Sequence, residues 1–224
     1  MYGPLRPDEL RVQQLDSAGF AFSGAASAGV GDWRTAQIDV RIDPDTQRLC
    51  ARGTLEALMT LGHFWLLRQG GLLLHATTLI LDGRALVICG HCGAGKTTLS
   101  ARLNRVCLNH EFALVMPTST GWVALRHADH RGIKGDLPWQ VPLGGFFVLG
   151  PDRTRNASAA IAHNDAMQLV LDKIYFADGP ALPLMLQNLD ALLTAMPLRT
   201  LSHCLSRPPE EIARTITQEY HGLQ

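Results

Sequence analysis

The chain has 224 residues, of which 46% are hydrophobic and 18% are charged, and its 20 basic and 20 acidic side chains cancel to a formal net charge of zero. This composition is typical of a folded globular protein and excludes an intrinsically disordered chain. Without a basic stripe or an excess of positive charge, the chain is not expected to bind nucleic acid.

Five scattered cysteines, an odd number, do not indicate a disulfide framework, and the N-terminal residues "MYGPLRPDEL" lack the pattern of a signal peptide. The longest apolar run, "LLLHATTLIL", is shorter than the about 20 residues that cross a bilayer. We therefore expect a soluble protein of the reducing cytoplasm that has no membrane partner.

The first 70 residues predict a small appendage. Residues 1–35 are rich in Gly, Ala and Ser and predict a loose arm with one short strand at most. "AQIDVRI" (36–42) alternates as a half-buried strand does, and "QRLCAR" (47–52) is expected to return as its partner. A helix follows over 55–69, between the capping residue Thr54 and a Gly-Gly pair. Residues 1–70 are therefore interpreted as an N-terminal α/β appendage.

The middle of the chain predicts a β-hairpin followed by a helix. "LLLHATTLIL" (72–81) and "RALVICG" (84–90) are interpreted as strands, and the Asp-Gly dipeptide between them is typical of a tight hairpin turn. "TTLSARLNRV" (97–106) has the periodicity of a helix. Between the second strand and this helix lies a glycine-rich segment.

The remainder of the chain predicts a second hairpin and a largely helical end. "FALVM" and "WVALRH" are strands joined by the turn "PTSTG", and a polar Pro/Gly-rich segment follows them. A strand, two helices, a strand and a last helix are then expected over 146–150, 164–177, 181–196, 198–205 and from Pro209 onward. Residues 71–224 thus form one core with a helical C-terminal part.

The glycine-rich segment "GHCGAGKTT" fits the phosphate-binding pattern GxxxxGK[ST] without a gap. Glycines let backbone N–H groups converge on phosphate oxygens, and the N-terminus of the following helix attracts the same anion. By this pattern Lys96 reaches the β- and γ-phosphates and Thr97 ligates Mg²⁺. The chain has few lysines, which strengthens the assignment of Lys96. The candidate nucleotide-binding residues are Gly90, His91, Cys92, Gly93, Ala94, Gly95, Lys96, Thr97 and Thr98.

Several classes of nucleotide-binding protein are disfavoured. The chain has neither an NKxD element, which a GTPase uses to read its base, nor an LSGGQ-like segment, which a transport ATPase carries. The strand before the loop is also supplied by a hairpin rather than by an N-terminal βα unit. Antiparallel surroundings of this kind are unusual for a phosphate-binding loop.

The run "LLHATTLILDGRALVICGHCGAGKTTLSARL", followed by "LNHEFALV", resembles the HPr kinase/phosphorylase-like family. That family shares its nucleotide-binding core with the ATP-dependent phosphoenolpyruvate carboxykinases. The resemblance covers about residues 70–205 and extends to the ending "MPLRTLSHCLSRP". It implies an α/β fold with a P-loop core and a mixed, largely antiparallel sheet, and it implies ATP and Mg²⁺ as cofactors.

The resemblance also implies roles for single residues. His75 matches the family's strand histidine near the phosphates, and Lys134 lies where the family has a lysine that could clamp phosphate. Cys92 takes the loop position usually held by Ser. The family's acidic pair falls on His110 and Glu111, so that Glu111 would serve Mg²⁺ and a histidine replaces the aspartate that acts as base. The implied catalytic residues are Lys96, His75, His110 and Lys134.

The function implied is transfer of the γ-phosphoryl group of ATP to a hydroxyl, a serine of a peptide or small protein. Compact relatives of this family phosphorylate lasso-peptide precursors, which suggests a role in peptide natural-product biosynthesis. The family commonly forms oligomers, so a homo-oligomer is expected. Two alternatives stay open: a nucleotide-binding sensor or accessory protein that has lost its base at His110, and a small-molecule kinase.

Overall fold

A computed structural model describes residues 11–14, 19–23, 27–32, 35, 37–42, 47–91, 93–103, 106–126, 137–150, 152, 154–175, 181–204 and 206–221. The helices within these ranges are α1 (Gln47–Arg68), α2 (Lys96–Leu103), α3 (His163–Leu171), α4 (Leu182–Ala195) and α5 (Pro209–His221). The strands are β1 (Arg11–Gln14), β2 (Gly19–Ser23), β3 (Ser27–Asp32), β4 (Gln37–Ile42), β5 (Leu72–Leu81), β6 (Arg84–Cys89), β7 (Val106–Asn109), β8 (Phe112–Thr118), β9 (Gly121–Leu125), β10 (Gln140–Leu149), β11 (Ala157–Ala160) and β12 (Leu198–Ser202).

The chain divides into two compact units, of which the first comprises Met1–Leu73 and Ile174–Leu189. Its sheet is an antiparallel meander in the order β1-β2-β3-β4, and α1 packs on β3 and β4. The C-terminal half of α1 buries Phe64, Leu66 and Leu67. Asn188, itself buried, donates from Nδ2 to the carbonyl oxygens of Leu67 and Gly71, so the end of this helix is satisfied by a side chain.

Two expectations for this unit were wrong. Residues 1–35 include three strands rather than a loose arm, because "GFAFS" pairs with "SAGVGD", which in turn pairs with β4, each in continuous antiparallel register. "QRLCAR" is the beginning of α1 and not a returning strand. Gln, Arg, Leu and Ala all favour the helix, and these propensities extend it N-terminally past Thr54.

The second unit comprises Leu74–Lys173 and Asp190–Gln224. Its eight-stranded sheet has the order β11-β12-β10-β6-β5-β8-β9, with β7 paired to β5 and an added pairing between β9 and β10. β10 runs parallel to β6 and β12, whereas β5–β6, β5–β7, β8–β9, β9–β10 and β11–β12 are antiparallel. The predicted mixed, largely antiparallel sheet is confirmed.

The hairpin of β5 and β6 forms as the sequence predicts. Asp82 and Gly83 both have positive φ, 49° and 76°, which a two-residue turn between twisted strands requires. Both strands are buried along most of their length, as expected for central strands that are covered on both faces. β6 ends at Cys89, where the glycine-rich loop begins.

The helix after the loop is held on the sheet by its apolar side. Leu99 and Leu103 of α2 are buried in a cluster with Ile212 and Ile216 of α5 and with side chains of β5, β6, β10 and β12. Arg102 also donates from Nη1 to the carbonyl oxygen of Cys204 at 3.2 Å. Because the apolar face is fixed, the N-terminus of α2 has a defined position at the end of the loop.

Some boundaries in this unit differ from the sequence expectation. The helix predicted over 97–106 ends at Leu103, and Val106 already belongs to β7, an edge strand that was not predicted. β10 begins at Gln140, well before the predicted strand at 146. β11 was also missed, because "ASAA" has no apolar alternation. None of the helices within the described ranges combines the length and apolar character needed to cross a bilayer.

The buried His63 of α1 predicts a loss of stability in acid. It is 1% exposed, and burial lowers its pKa from 6.5 to about 3. As the pH falls below 6.5, His63 is protonated in the unfolded chain but stays neutral in the folded protein. The free energy of unfolding therefore falls between pH 6.5 and pH 3. From pH 7 to pH 5 we expect this histidine to remove about 2 kcal/mol from the free energy of unfolding.

Urea denaturation at pH 7 and pH 5 measures this loss, and the variant His63→Leu should show a correspondingly smaller difference between the two pH values. The control is His163→Gln, at an exposed histidine, which leaves His63 in place and should keep the parental difference. Equal pH dependence of His63→Leu and the parent protein would contradict the prediction.

Candidate functional site

The glycine-rich loop lies between the end of a buried strand and the beginning of a helix, the arrangement that a phosphate-binding loop requires. Gly93 and Gly95 have φ of 81° and 94°, a region that other residues rarely adopt. The amide of Ala94 donates to the carbonyl oxygen of His91 at 3.0 Å, which closes a turn. Gly95 then leads directly into α2, whose first amides and dipole point toward the loop.

The amine of Lys96 lies against the first residues of the loop. Its Nζ donates to the carbonyl oxygen of Gly90 at 2.6 Å and to that of His91 at 3.3 Å. The same Nζ is 3.5 Å from Nε2 of His75 on β5. The structure therefore brings together two of the predicted catalytic residues, Lys96 and His75, at the beginning of the predicted nucleotide-binding loop.

His75 is held as a neutral imidazole. Burial, and then the positive charges of Lys96 and Lys173, lower its pKa from 6.5 to about 4. A neutral ring has one nitrogen that accepts and one that donates. Because Nε2 is the atom near the Lys96 ammonium, Nε2 is the accepting nitrogen and Nδ1 carries the proton.

Lys173 is a residue of this region that the sequence analysis missed. It follows the C-terminus of α3, is 7% exposed, and extends its Nζ to 3.5 Å from Nδ1 of His91. Its carbonyl oxygen accepts the amide proton of His75 at 2.6 Å, which fixes its backbone beside β5. No motif marks Lys173. The one signal in the sequence is that lysine is rare, since the chain has three of them.

Residues 110–111 form a turn between β7 and β8 that is anchored beside β5. The side chain of Thr77 donates to the carbonyl oxygen of His110 at 2.7 Å, and the amide of Ala76 donates to the carbonyl oxygen of Glu111 at 3.2 Å. Buried Asn109 donates from Nδ2 to the carbonyl oxygen of Leu125 at 2.7 Å. The predicted pair His110 and Glu111 thus lies beside β5, in contact with the two residues of that strand that follow His75.

A contact with Cys107 orients the ring of His110. Cys107 Sγ donates to the carbonyl oxygen of Asn109 at 3.2 Å and lies 3.4 Å from Nδ1 of His110. When the thiol proton points at Asn109, the sulfur can only accept, so Nδ1 of His110 carries a proton. In the neutral ring this leaves the basic lone pair on Nε2. No motif marks Cys107 or Asn109 in the sequence.

The predicted magnesium ligands supply hard oxygen atoms. Thr97 lies exposed in the first turn of α2, and Glu111 is half-buried in the turn beside β5. Mg²⁺ usually takes only one or two protein oxygens and completes its shell with phosphate and water, so this pair fits it chemically. Within the described ranges, no group of three or more His, Cys, Asp and Glu residues comes together to hold a metal without phosphate.

Two predicted site residues, Cys92 and Lys134, lie outside the described residues. Cys89 and Cys92 also have the spacing of a Cys-x-x-Cys redox motif, which the sequence analysis overlooked. Burial raises the pKa of Cys89 to about 12, despite the opposing charges of Lys96 and Lys173. A thiol that stays protonated is a poor nucleophile, so the state of Cys89 argues against redox chemistry at this position.

Comparison with known proteins finds a remote structural likeness. No protein-family model matches the chain, and no curated protein matches it in sequence. Among solved structures, the Hpr(Ser) kinase/phosphatase from Coxiella burnetii aligns with a TM-score of 0.39 and 10% sequence identity, over 67% of this chain and 97% of that chain. A likeness at this TM-score supports no conclusion about activity, so the function must be inferred from the geometry of the site.

We expect ATP binding to require glycine at position 90, because there is little space for a larger side chain at this position of the loop. A Cβ atom on Gly90 would lie 3.0 Å from the Cβ of Ala94, a tight contact that one of the two residues would have to relieve by shifting. The free loop relieves this crowding by shifting its backbone, and restoring the phosphate-binding conformation then costs about 1–3 kcal/mol, so Gly90→Ala should weaken ATP binding by about 10-fold. The double variant Gly90→Ala/Ala94→Gly removes the crowded atom and should regain most of the affinity.

Isothermal titration calorimetry with ATP and Mg²⁺ measures these affinities, with Ala94→Gly alone as the control for added loop flexibility. The steric explanation is wrong if Gly90→Ala binds ATP as the parent protein does. It is also wrong if the double variant is weaker than Gly90→Ala.

His75 is expected to respond to an anion in the loop. Its pKa of about 4 depends partly on two neighbouring lysines, whose positive charge a bound triphosphate would offset. Saturation with ATP and Mg²⁺ should therefore raise the pKa of His75 from about 4 toward 6.5. NMR titration of the histidine ring resonances measures this change, with exposed His163 as an internal reference. A His75 pKa that is the same with and without ATP would contradict the placement of phosphate at Lys96.

Proposed function

We propose that this protein is an ATP-dependent kinase that transfers the γ-phosphoryl group to a hydroxyl, the serine of a peptide or small protein. The observation that carries the proposal is the position of the Lys96 amine on the Gly90 and His91 carbonyl oxygens. Lys96 lies in the first turn of a helix and its side chain folds back over the preceding loop. From this position its amine can bind the β- and γ-phosphates of a nucleotide in the loop.

The loop and the side chains around it supply charge rather than covalent chemistry. Phosphoryl transfer depends mostly on positioning and on neutralising the charge of the transferred group. Lys96 and the first amides of α2 provide positive potential, and neutral His75 accepts a hydrogen bond without adding negative charge. Mg²⁺, when bound to Thr97 and Glu111, supplies further neutralisation of the phosphate oxygens.

His110 is the proposed base. With its Nδ1 proton directed at Cys107 Sγ, Nε2 has the lone pair that accepts the proton of the acceptor hydroxyl. The hydroxyl oxygen then bonds to the γ-phosphorus, the bond from the bridging oxygen to that phosphorus breaks, and ADP leaves with the bridging oxygen. The proton stays on His110 until solvent removes it, so the imidazole is regenerated for the next turnover.

The identity of the acceptor rests on the sequence resemblance alone, which suggests a peptide whose C-terminal region carries the serine. A second candidate function is a nucleotide sensor without transfer activity. It is favoured by one observation, the histidine at position 110 where the resembled family has an aspartate base. The two functions differ in whether bound ATP is consumed.

Activity is measured with γ-labelled ATP, Mg²⁺ and a mixture of synthetic peptides ending in serine, together with release of phosphate to water when no peptide is added. The parent protein should transfer label, and Lys96→Met should lower the rate by about 100-fold or more. His110→Phe should lower kcat by about 100-fold while the Kd for ATP stays within about threefold of the parent value. Arg155→Met, which removes an exposed positive charge paired with Asp152, is the control and should retain activity.

The pH profile separates a base from a merely structural residue. Aspartate is deprotonated at lower pH than imidazole, so His110→Asp should remain active with the rising limb of kcat moved to lower pH. ATP binding without phosphate release or label transfer, combined with new activity in His110→Asp, would establish the sensor instead. A protein that does not bind ATP at all would overturn both functions.

A further inference from the structure

Two of the three lysines of the chain meet at the beginning of the loop. Lys96 Nζ donates to the carbonyl oxygen of His91, and Lys173 Nζ lies 3.5 Å from Nδ1 of the same residue. Lys173 reaches this position from the end of α3, with its backbone fixed by the hydrogen bond from the amide of His75. His91 therefore stands between two ammonium groups that come from different parts of the fold.

The burial of Lys173 calls for an anion. The residue is only 7% exposed, and a buried ammonium group is costly unless it is paired with an opposite charge. Among the described residues no carboxylate forms an ion pair with Lys173, and its side chain has one polar contact, the ring of His91. An imidazole nitrogen at 3.5 Å is a weak partner, and it supplies no negative charge.

A simpler role is complementing the C-terminal dipole of α3, where cations are favoured. That role fits the backbone position of Lys173, which follows Asp172 at the end of the helix. It does not account for the side chain, since the dipole requires no burial and falls off within the last turn. The amine extends away to the loop residue His91, 82 positions earlier in the chain.

The position of Lys173 relative to the phosphates follows from Lys96. The lysine of this loop pattern reaches the β- and γ-phosphates, so its Nζ marks the end of the loop where these groups bind. Lys173 shares that end, because its Nζ contacts the ring of His91 and the Nζ of Lys96 contacts the carbonyl oxygen of the same residue.

On the basis of the proposed function, we infer that Lys173 is a second phosphate-binding lysine that contacts the terminal phosphate of ATP. This contact makes the site bind a nucleoside triphosphate more tightly than a diphosphate. In this role it holds the γ-phosphoryl group in place for transfer and neutralises its charge as the bridging bond breaks.

The test compares ATP and ADP, each with Mg²⁺, by calorimetry on the full chain. A hydrogen bond to a charged group is worth enough that Lys173→Met should weaken ATP binding by about 10-fold to 100-fold and ADP binding by at most about threefold. Lys96→Met, which removes the lysine shared by both phosphates, should weaken ATP and ADP alike. Lys173→Arg keeps the charge and should retain the preference for ATP. Arg155→Met is the control for loss of one positive charge elsewhere.

Thermal melting without nucleotide checks the fold of each variant. Lys173→Met should melt at the parent temperature or above, because a buried ammonium that no carboxylate of the described residues pairs with is costly, and an apolar side chain removes that cost. If the methionine variant does not fold, Lys173→Gln gives the same comparison with a polar end on a shorter chain.

The outcomes separate this inference from the proposed function. If the parent protein binds ATP and Lys173→Met binds ATP equally well, the assignment of Lys173 is overturned and the proposed function stands. If Lys173→Met weakens ATP and ADP by the same factor, the contact with the terminal phosphate is overturned. If the parent protein binds neither nucleotide, the proposed function fails, and this inference fails with it.

Discussion

The hydrogen bonds from the Lys96 amine to the carbonyl oxygens of Gly90 and His91 are the contacts on which the site depends. They keep a positive charge at the point where a buried strand ends and a helix begins. The rest of the fold serves this arrangement: the β5–β6 hairpin fixes one side of the loop, and the apolar face of α2 fixes the other. Lys173 adds a second positive charge there, and burial keeps His75 neutral, so the charges of Lys96 and Lys173 meet at the beginning of the loop.

The sequence predicted the fold best where local chemistry and tertiary structure agree. Asp82-Gly83 could be identified as a turn because few dipeptides adopt two consecutive positive φ values, and the strands on either side of it are long and apolar. The prediction was wrong for "QRLCAR", a short segment whose alternation also fits a helix, and for residues 1–35, whose strands are defined by partners that local propensity does not reveal. Edge strands such as β7 and β11 are stabilised by pairing rather than by their own side chains.

The candidate site was predictable only where residues are adjacent in the chain. Gly90, Gly95 and Lys96 could be found because a phosphate-binding loop is a contiguous segment with a fixed spacing. His75, His110 and Glu111 were found through a family resemblance; the structure places His75 on β5 and the other two residues beside the same stretch of that strand. Lys173 and Cys107 had no motif to mark them, because their positions beside His91 and His110 are produced by the folded chain.

The turn at Asp82 and Gly83 has a practical consequence because of where it lies on the hairpin. It closes the end of β5 and β6 away from the loop, six paired positions from Ala76 and Cys89, which is a distance of roughly 17 Å along the strands. Both turn residues are exposed, and exposed turns are the sites where proteins best tolerate inserted segments. A short epitope or a fluorescent label introduced there would report on the second unit from the end of the hairpin opposite the glycine-rich loop, without adding atoms near that loop.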